Sequence, residues 1–85
     1  MDREKQIGKI ARRYQRDAFG DIYWGDFDID FGKGRTLGKL ATGREFEILH
    51  GGRWVKTSLG YSEAEDRYYL DGIGFIDALG MTARI

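Results

Sequence analysis

Apolar and polar side chains alternate with a period of two over several stretches of this chain, the signature of strands with one buried and one wet face. In residues 45–58, EFEILHGGRWVKTS, the alternation folds back on itself at Gly51-Gly52. A two-residue turn with positive φ at both positions favours that pair. It sets His50 against Arg53, Leu49 against Trp54, Ile48 against Val55, Glu47 against Lys56 and Phe46 against Thr57. Phe46, Ile48, Val55 and Thr57 then share one face, and Glu47 opposes Lys56 on the other as a cross-strand charge pair. A slip of one residue would turn Phe46 and Ile48 outward, so the register is well specified. On the outer face Leu49 and Trp54 pair beside the charges. They form either an interaction patch or a surface covered by the N-terminal segment or residues 19–24.

Residues 21–31, DIYWGDFDIDF, place Phe27, Ile29 and Phe31 on one side and Asp26, Asp28 and Asp30 on the other, as expected of a half-buried strand with an acidic outer face. Gly25 marks a bulge or bend after Trp24. Residues 67–71, RYYLD, read as a short strand, and Met81, Ala83 and Ile85 alternate with Thr82 and Arg84 in a last one. Residues 2–18 follow a different period. Ile7, Ile10, Ala11, Tyr14 and Ala18 recur at helical spacing, with Asp2 to cap a basic helix and Gly20 to end it. Gly8 inside that pattern costs about 1 kcal/mol relative to Ala, and a strand from Ile7 to Ala11 is the competing reading. Residues 32–44 form a loop rich in glycine and bases, with a short strand around Leu37–Leu40. Residues 59–66 are a polar connection, and residues 72–80 a turn with one helical or 3₁₀ turn between glycines. The expected architecture is one domain over residues 1–85, mainly β and α+β at most. A helix over 1–18 packs against a small antiparallel β-barrel over 21–85. Phe27, Ile29, Phe31, Phe46, Ile48, Val55, Tyr68, Leu70 and Ile85 supply its core.

From Leu37 onward the succession of strand, tight turn, strand, RYYLDG, single turn and final short strand resembles an SH3-like barrel. The chain lacks the ALYDY-type stretch and the proline-tyrosine element of peptide-binding SH3 domains, so no proline-groove residues carry over. A second resemblance rests on Leu40, Gly43, Phe46, Glu47, Leu49, Gly52, Trp54, Val55 and Thr57, then Arg67, Tyr68, Tyr69, Leu70 and Gly72, and finally Gly80, Ala83, Arg84 and Ile85. This string is similar to a family of small uncharacterised domains from plasmids, phages and conjugative elements of Firmicutes. The resemblance implies a shared fold and a mobile-element habitat, and no chemistry. The first thirty-odd residues fit it less well.

Composition narrows the function classes. The 85 residues include five Phe, five Tyr and two Trp and no Cys, so aromatic bulk must stabilise a small core that no disulfide or thiolate metal site staples. No apolar run approaches the roughly 20 residues of a membrane span, and the charged N-terminus lacks a secretory apolar region. A cytoplasmic protein is expected. Fourteen basic and fourteen acidic residues cancel, which argues against a surface devoted to nucleic acid and against an all-acidic mimic of it. The charges are sorted, however. Residues 1–16 and 32–44 are basic, and the five aspartates of residues 17–31 lie between them without a base. Folding can bring these blocks together or leave patches of opposite sign.

Candidate chemistry is sparse. The one histidine, His50, flanks the hairpin turn with no nucleophile or orienting carboxylate implied nearby, so no enzyme is expected. Alternate strand residues stand about 6.5–7 Å apart, too far for Asp26, Asp28 and Asp30 to grip one cation. Phe31 takes the place where an EF-hand loop turns on glycine. GKGRTLGKL misses the P-loop spacing at Lys33 and at Leu40. Neither metal nor cofactor is expected. The leading expectation is a non-enzymatic protein-binding module, in the implied habitat an accessory or counter-defence (anti-CRISPR-like) protein. It would use Asp26, Asp28, Asp30, Leu49 and Trp54 against a host or element-encoded partner. The alternative is a nucleic-acid-binding accessory protein that contacts phosphates through Arg12, Arg13, Arg16, Lys33, Arg35 and Lys39.

Overall fold

A computed structural model of the chain describes residues 5–85 and, of Trp24, the backbone. The seven strands are β1 (Ile7–Arg16), β2 (Ile22–Gly32), β3 (Arg35–Thr36), β4 (Glu45–His50), β5 (Arg53–Ser62), β6 (Arg67–Leu70) and β7 (Thr82–Arg84). They form an open antiparallel sheet in the order β3-β2-β1-β7-β4-β5-β6. The fold is mainly β, and among the described residues there is no helix.

The β4–β5 hairpin has the register written in its sequence, from Glu45 opposite Ser58 to His50 opposite Arg53. Gly51 and Gly52 turn it with φ of 60° and 77°. Phe46 and Ile48 are buried on its inner face. The outer charges pair differently from expectation. Glu47 lies opposite Lys56, yet its carboxylate is taken by Arg84 of the neighbouring β7, 3.0 Å away, and by Lys5. Lys56 turns instead to Glu45 at 2.8 Å, and that hydrogen bond, with the charge beside it, raises the ammonium pKa above its usual 10.5.

The expected helix over 1–18 is replaced by β1, and its proposed cap, Asp2, lies outside the described residues. The physical reason lies at Gly8. A Cβ there would run into the backbone carbonyl of Asp30 and stand 2.8 Å from Phe31 Cδ1. The glycine that counts against a helix is what lets two strands close on each other. β1 then pairs with β2 over Lys9–Arg16 and with β7 over Ile7–Lys9, so helical propensity yields to two ladders. Across from Arg13, β2 carries one extra residue at Gly25-Asp26, since Arg12 pairs with Phe27 and Tyr14 with Trp24. This is the bulge anticipated at Gly25.

Two connections also differ from expectation. β5 does not stop at Ser58 but runs to Ser62, pairing first with β4 and then with β6. Gly60 suggests a break there, but it lies under the Tyr69 ring, where a Cβ would stand 2.7 Å from Cε1. The short strand expected around Leu37–Leu40 is displaced to Arg35–Thr36. Leu37 and Leu40 still donate backbone hydrogen bonds to Ile29 and Phe27 along the β2 edge. Residues 72–80 are turns without a helical segment.

The core comprises Ile10, Ile29, Leu40, Phe46, Ile48, Leu59, Leu70, Ala78 and Ala83, with Phe27, Phe31, Val55, Tyr68 and Ile85 packed against it. Because β5 changes partner midway, the sheet curls and β6 returns toward β2. There Phe27 and Tyr68 meet edge-on with ring centroids 4.9 Å apart. Among the described residues no strand ladder joins these two ends; side chains alone close the seam. No described helix is long and apolar enough to cross a membrane.

Candidate functional site

The seam also carries a concavity of the surface. β1 and β2 form one wall, β6 the other, and residues 76–79 a rim around a groove of about 610 Å³. Phe27, Tyr61, Tyr68 and Leu79 are among its lining residues. The bulge in β2 frees the Gly25 carbonyl to accept a hydrogen bond from Arg12 Nε at 3.0 Å. This lays the Arg12 guanidinium across the seam, 4.7 Å from the Phe27 ring centroid and 5.3 Å from that of Tyr68. A cation over two ring faces is attracted by both quadrupoles and holds the two walls at a set spacing. Tyr61 meets Tyr68 at a tilt with ring centroids 4.9 Å apart, and its hydroxyl donates to the Asp66 carboxylate. That hydrogen bond raises the phenol pKa above the usual 10.0. At the far rim Arg67 lies 4.6 Å over Phe75 and donates to its carbonyl. The groove thus offers aromatic walls, flat cations already positioned on rings, and carboxylates (Asp66 and Asp77) at its margins.

The residues singled out from sequence do not gather in one place. Asp26, Asp28 and Asp30 are not a uniform wet face. Asp28 is 2% exposed: its carboxylate meets Arg13 at 2.9 Å and accepts the backbone N–H groups of Ile29 and Gly38. Residues 37–40, running along β2, cover a position that strand alternation places outward. Asp30 accepts the Gly32 N–H at the following turn, and Asp26 stays exposed, 3.9 Å from Lys39. Leu49 and Trp54 face each other in the ladder as expected. Arg84 of β7 lies 4.2 Å over the Trp54 ring, so an arginine of the neighbouring strand covers part of it.

The basic residues are likewise largely engaged within the chain. Arg12 spans the seam, Arg13 holds Asp28 and Thr36, Arg35 donates to Gln6 at 3.0 Å, and Lys39 is near Asp26. Arg16 and Lys33 are exposed. The sorted charge blocks therefore meet in the fold. His50 is exposed beside its turn, and no group of three His, Cys, Asp or Glu side chains among the described residues is placed to hold a metal.

A profile for a domain of unknown function, DUF5348, matches residues 19–85. The chain belongs to this family. The match takes in β2 to β7 and with them the aromatic side chains of the groove, while β1 and its Arg12 precede it. No curated protein and no solved structure matches the chain.

Sequence reasoning had Phe27 and Tyr68 in the core but missed the groove, because Arg12 and Phe27 on one wall and Tyr68 on the other come from strands far apart in the chain. One signal was present. An arginine on the inward-facing register of β1, in line with Ile10, needs a carbonyl or ring to lie against.

Proposed function

We propose that the chain is a non-enzymatic protein-binding module that takes an extended, apolar segment of a partner protein into the groove between β6 and the β1–β2 ribbon. The observation that carries this reading is the unladdered seam at Phe27 and Tyr68, an aromatic-walled opening between the two ends of a curled sheet. Concave sites that set polar groups at fixed places among apolar walls are where ligands bind, and here the charged groups of Arg12, Asp66, Arg67 and Asp77 stand among the rings. An extended segment with apolar side chains at alternate positions suits a cleft bounded by strands. Such a segment would lie where a barrel of SH3-like outline closes. If the mobile-element habitat implied by the resemblance holds, the partner is a host or element-encoded protein in the cytoplasm and the role is accessory or counter-defence. Panning a library of extended peptides against the full chain is expected to enrich sequences with alternating apolar residues. By calorimetry, Tyr68→Ala and Phe27→Ala should each weaken an enriched peptide about tenfold or more. Peptides that bind both variants as tightly as the parent would sink the assignment.

The nucleic-acid reading draws support from Arg16 and Lys33, the two candidate bases that stay exposed with no ion pair among the described residues. Titration with labelled DNA and RNA across salt concentrations separates the two readings. Affinity that falls steeply with salt belongs to phosphate contacts.

A further inference from the structure

The outer edge of β6 faces the groove, and the parity of its ladder decides which backbone groups are left there. On the β5 side, the Asp71 N–H donates to the Ser58 carbonyl at 3.0 Å. Leu70 points the other way: its N–H donates to the Gly74 carbonyl at 3.0 Å, and its carbonyl accepts the Gly74 N–H at 2.8 Å. Backbone groups along an antiparallel strand alternate between the two sides. Arg67 and Tyr69 therefore bond toward β5, opposite Ser62 and Gly60. Tyr68 presents its N–H and carbonyl outward, as Leu70 does.

The chain makes the first rung on this edge and leaves the next one empty. Past Gly74 the backbone turns away from β6, with the Ile76 N–H donating to the Gly74 carbonyl at 3.1 Å. Residues 76–79 then form the rim of the groove instead of running on beside Tyr68. Among the described residues nothing pairs with the Tyr68 backbone on that side. An exposed donor and acceptor on a strand edge are a template for a further strand. The template is held in place, because the Tyr68 ring is packed edge-on against Phe27. A strand that continued the Leu70–Gly74 rung would run antiparallel to β6. Its residue opposite Tyr68 would point its side chain to the ring-lined face, and the residue two places further along would reach Asp66. Asp66 is exposed and lines the groove at that end, whereas the Arg12 guanidinium lies 5.3 Å from the Tyr68 ring centroid. Charge complementarity therefore sets a basic side chain opposite Asp66 and an uncharged one opposite Tyr68.

We propose that the partner segment binds as an added antiparallel strand on β6, exchanging two backbone hydrogen bonds with Tyr68 and carrying an apolar residue, any residue, then a lysine or arginine. This rests on the groove reading above and adds to it the mode of recognition and the charge of the segment. The probe is a capped ten-residue synthetic peptide from the library panned on the full chain. In the free chain the Tyr68 amide is expected to exchange with deuterium fast and the Tyr69 amide slowly. Saturating peptide should slow Tyr68 at least about tenfold, since exchange follows the opening of hydrogen bonds. N-methylation of the peptide residue opposite Tyr68 should weaken binding about tenfold or more, and N-methylation of the next residue should not. Asp66→Asn should weaken the peptide about two- to fivefold, the range of an exposed ion pair, and leave unchanged a peptide with glutamine in place of the basic residue. A Tyr68 amide already as protected as Tyr69 in the free chain overturns the proposal, because the edge would then be filled. So does a Tyr68 amide that stays fast with peptide bound, a methylation scan without alternation, or a lysine peptide indifferent to Asp66→Asn. If such a peptide still requires the Phe27 and Tyr68 rings, the groove reading survives that failure. Peptides indifferent to both rings, or a library that yields no binder, overturn the two together.

Discussion

Three residues set the local rules of this fold, and each can be tested alone. Gly8 sits where β1 crosses close to Asp30 and Phe31. Gly8→Ala should cost about 1–3 kcal/mol through overpacking against backbone that cannot yield, read as a lower urea midpoint with unchanged slope. Asp28 is a buried carboxylate with one arginine and two backbone N–H partners. Asp28→Ala should cost about 2–3 kcal/mol because it leaves the Ile29 and Gly38 donors without their acceptor, measured by the same titration. Tyr61 titrates above its usual 10.0 chiefly because its hydroxyl donates to Asp66. Difference-absorbance titration should show the Tyr61 transition moving down in Asp66→Asn, since a neutral amide favours the protonated phenol less. Of these three residues, sequence inspection flagged the first two and misjudged both. Gly8 was weighed as a flaw in a helix. Asp28 was set on a wet face because alternation assigns a side and cannot foresee a loop crossing over that side.

Among the elements, β1 has the largest consequence for the rest. It lies between β2 and β7 in the sheet, so without it β3-β2 and β7-β4-β5-β6 have no ladder in common. Yet the family match begins at residue 19, after β1 ends. A chain of residues 19–85 alone is therefore expected to lose cooperative structure, with collapsed amide dispersion in a proton–nitrogen correlation spectrum. A well-dispersed spectrum would mean that the two parts associate through core packing alone. The β4–β5 hairpin contrasts with β1. Its turn, register and buried face were all legible in fourteen consecutive residues, because every interaction that specifies it is local. For β1 the decisive contacts are with residues more than a dozen positions away and at the C-terminus, and a stripe of Ile7, Ile10, Ala11 and Tyr14 fits a helix as well as a strand.

For the whole molecule, the sheet's two ends meet through Phe27, Tyr68 and the guanidinium of Arg12. If that contact fastens the curl, Phe27→Ala and Tyr68→Ala should not be additive. A double-mutant cycle is expected to give a coupling of about 0.5–1.5 kcal/mol, the range for an edge-to-face aromatic pair. Additive losses would mean that each ring packs only against its own strand. The groove exists because this contact is made by side chains and not by a ladder.

The strand over residues 22–32, the turn and register of the central hairpin, and the inward direction of Ile29, Phe46, Ile48 and Leu70 follow from the order of residues along the chain. Period, glycine placement and branched side chains act over a few positions, and no distant partner is needed to read them. The conversion of residues 7–16 into a strand, the burial of Asp28, the meeting of the charge blocks and the opening beside Tyr68 required the assembled fold. Each arises from groups widely separated in sequence, whose approach is governed by the curl of the sheet and by which edge each strand finds.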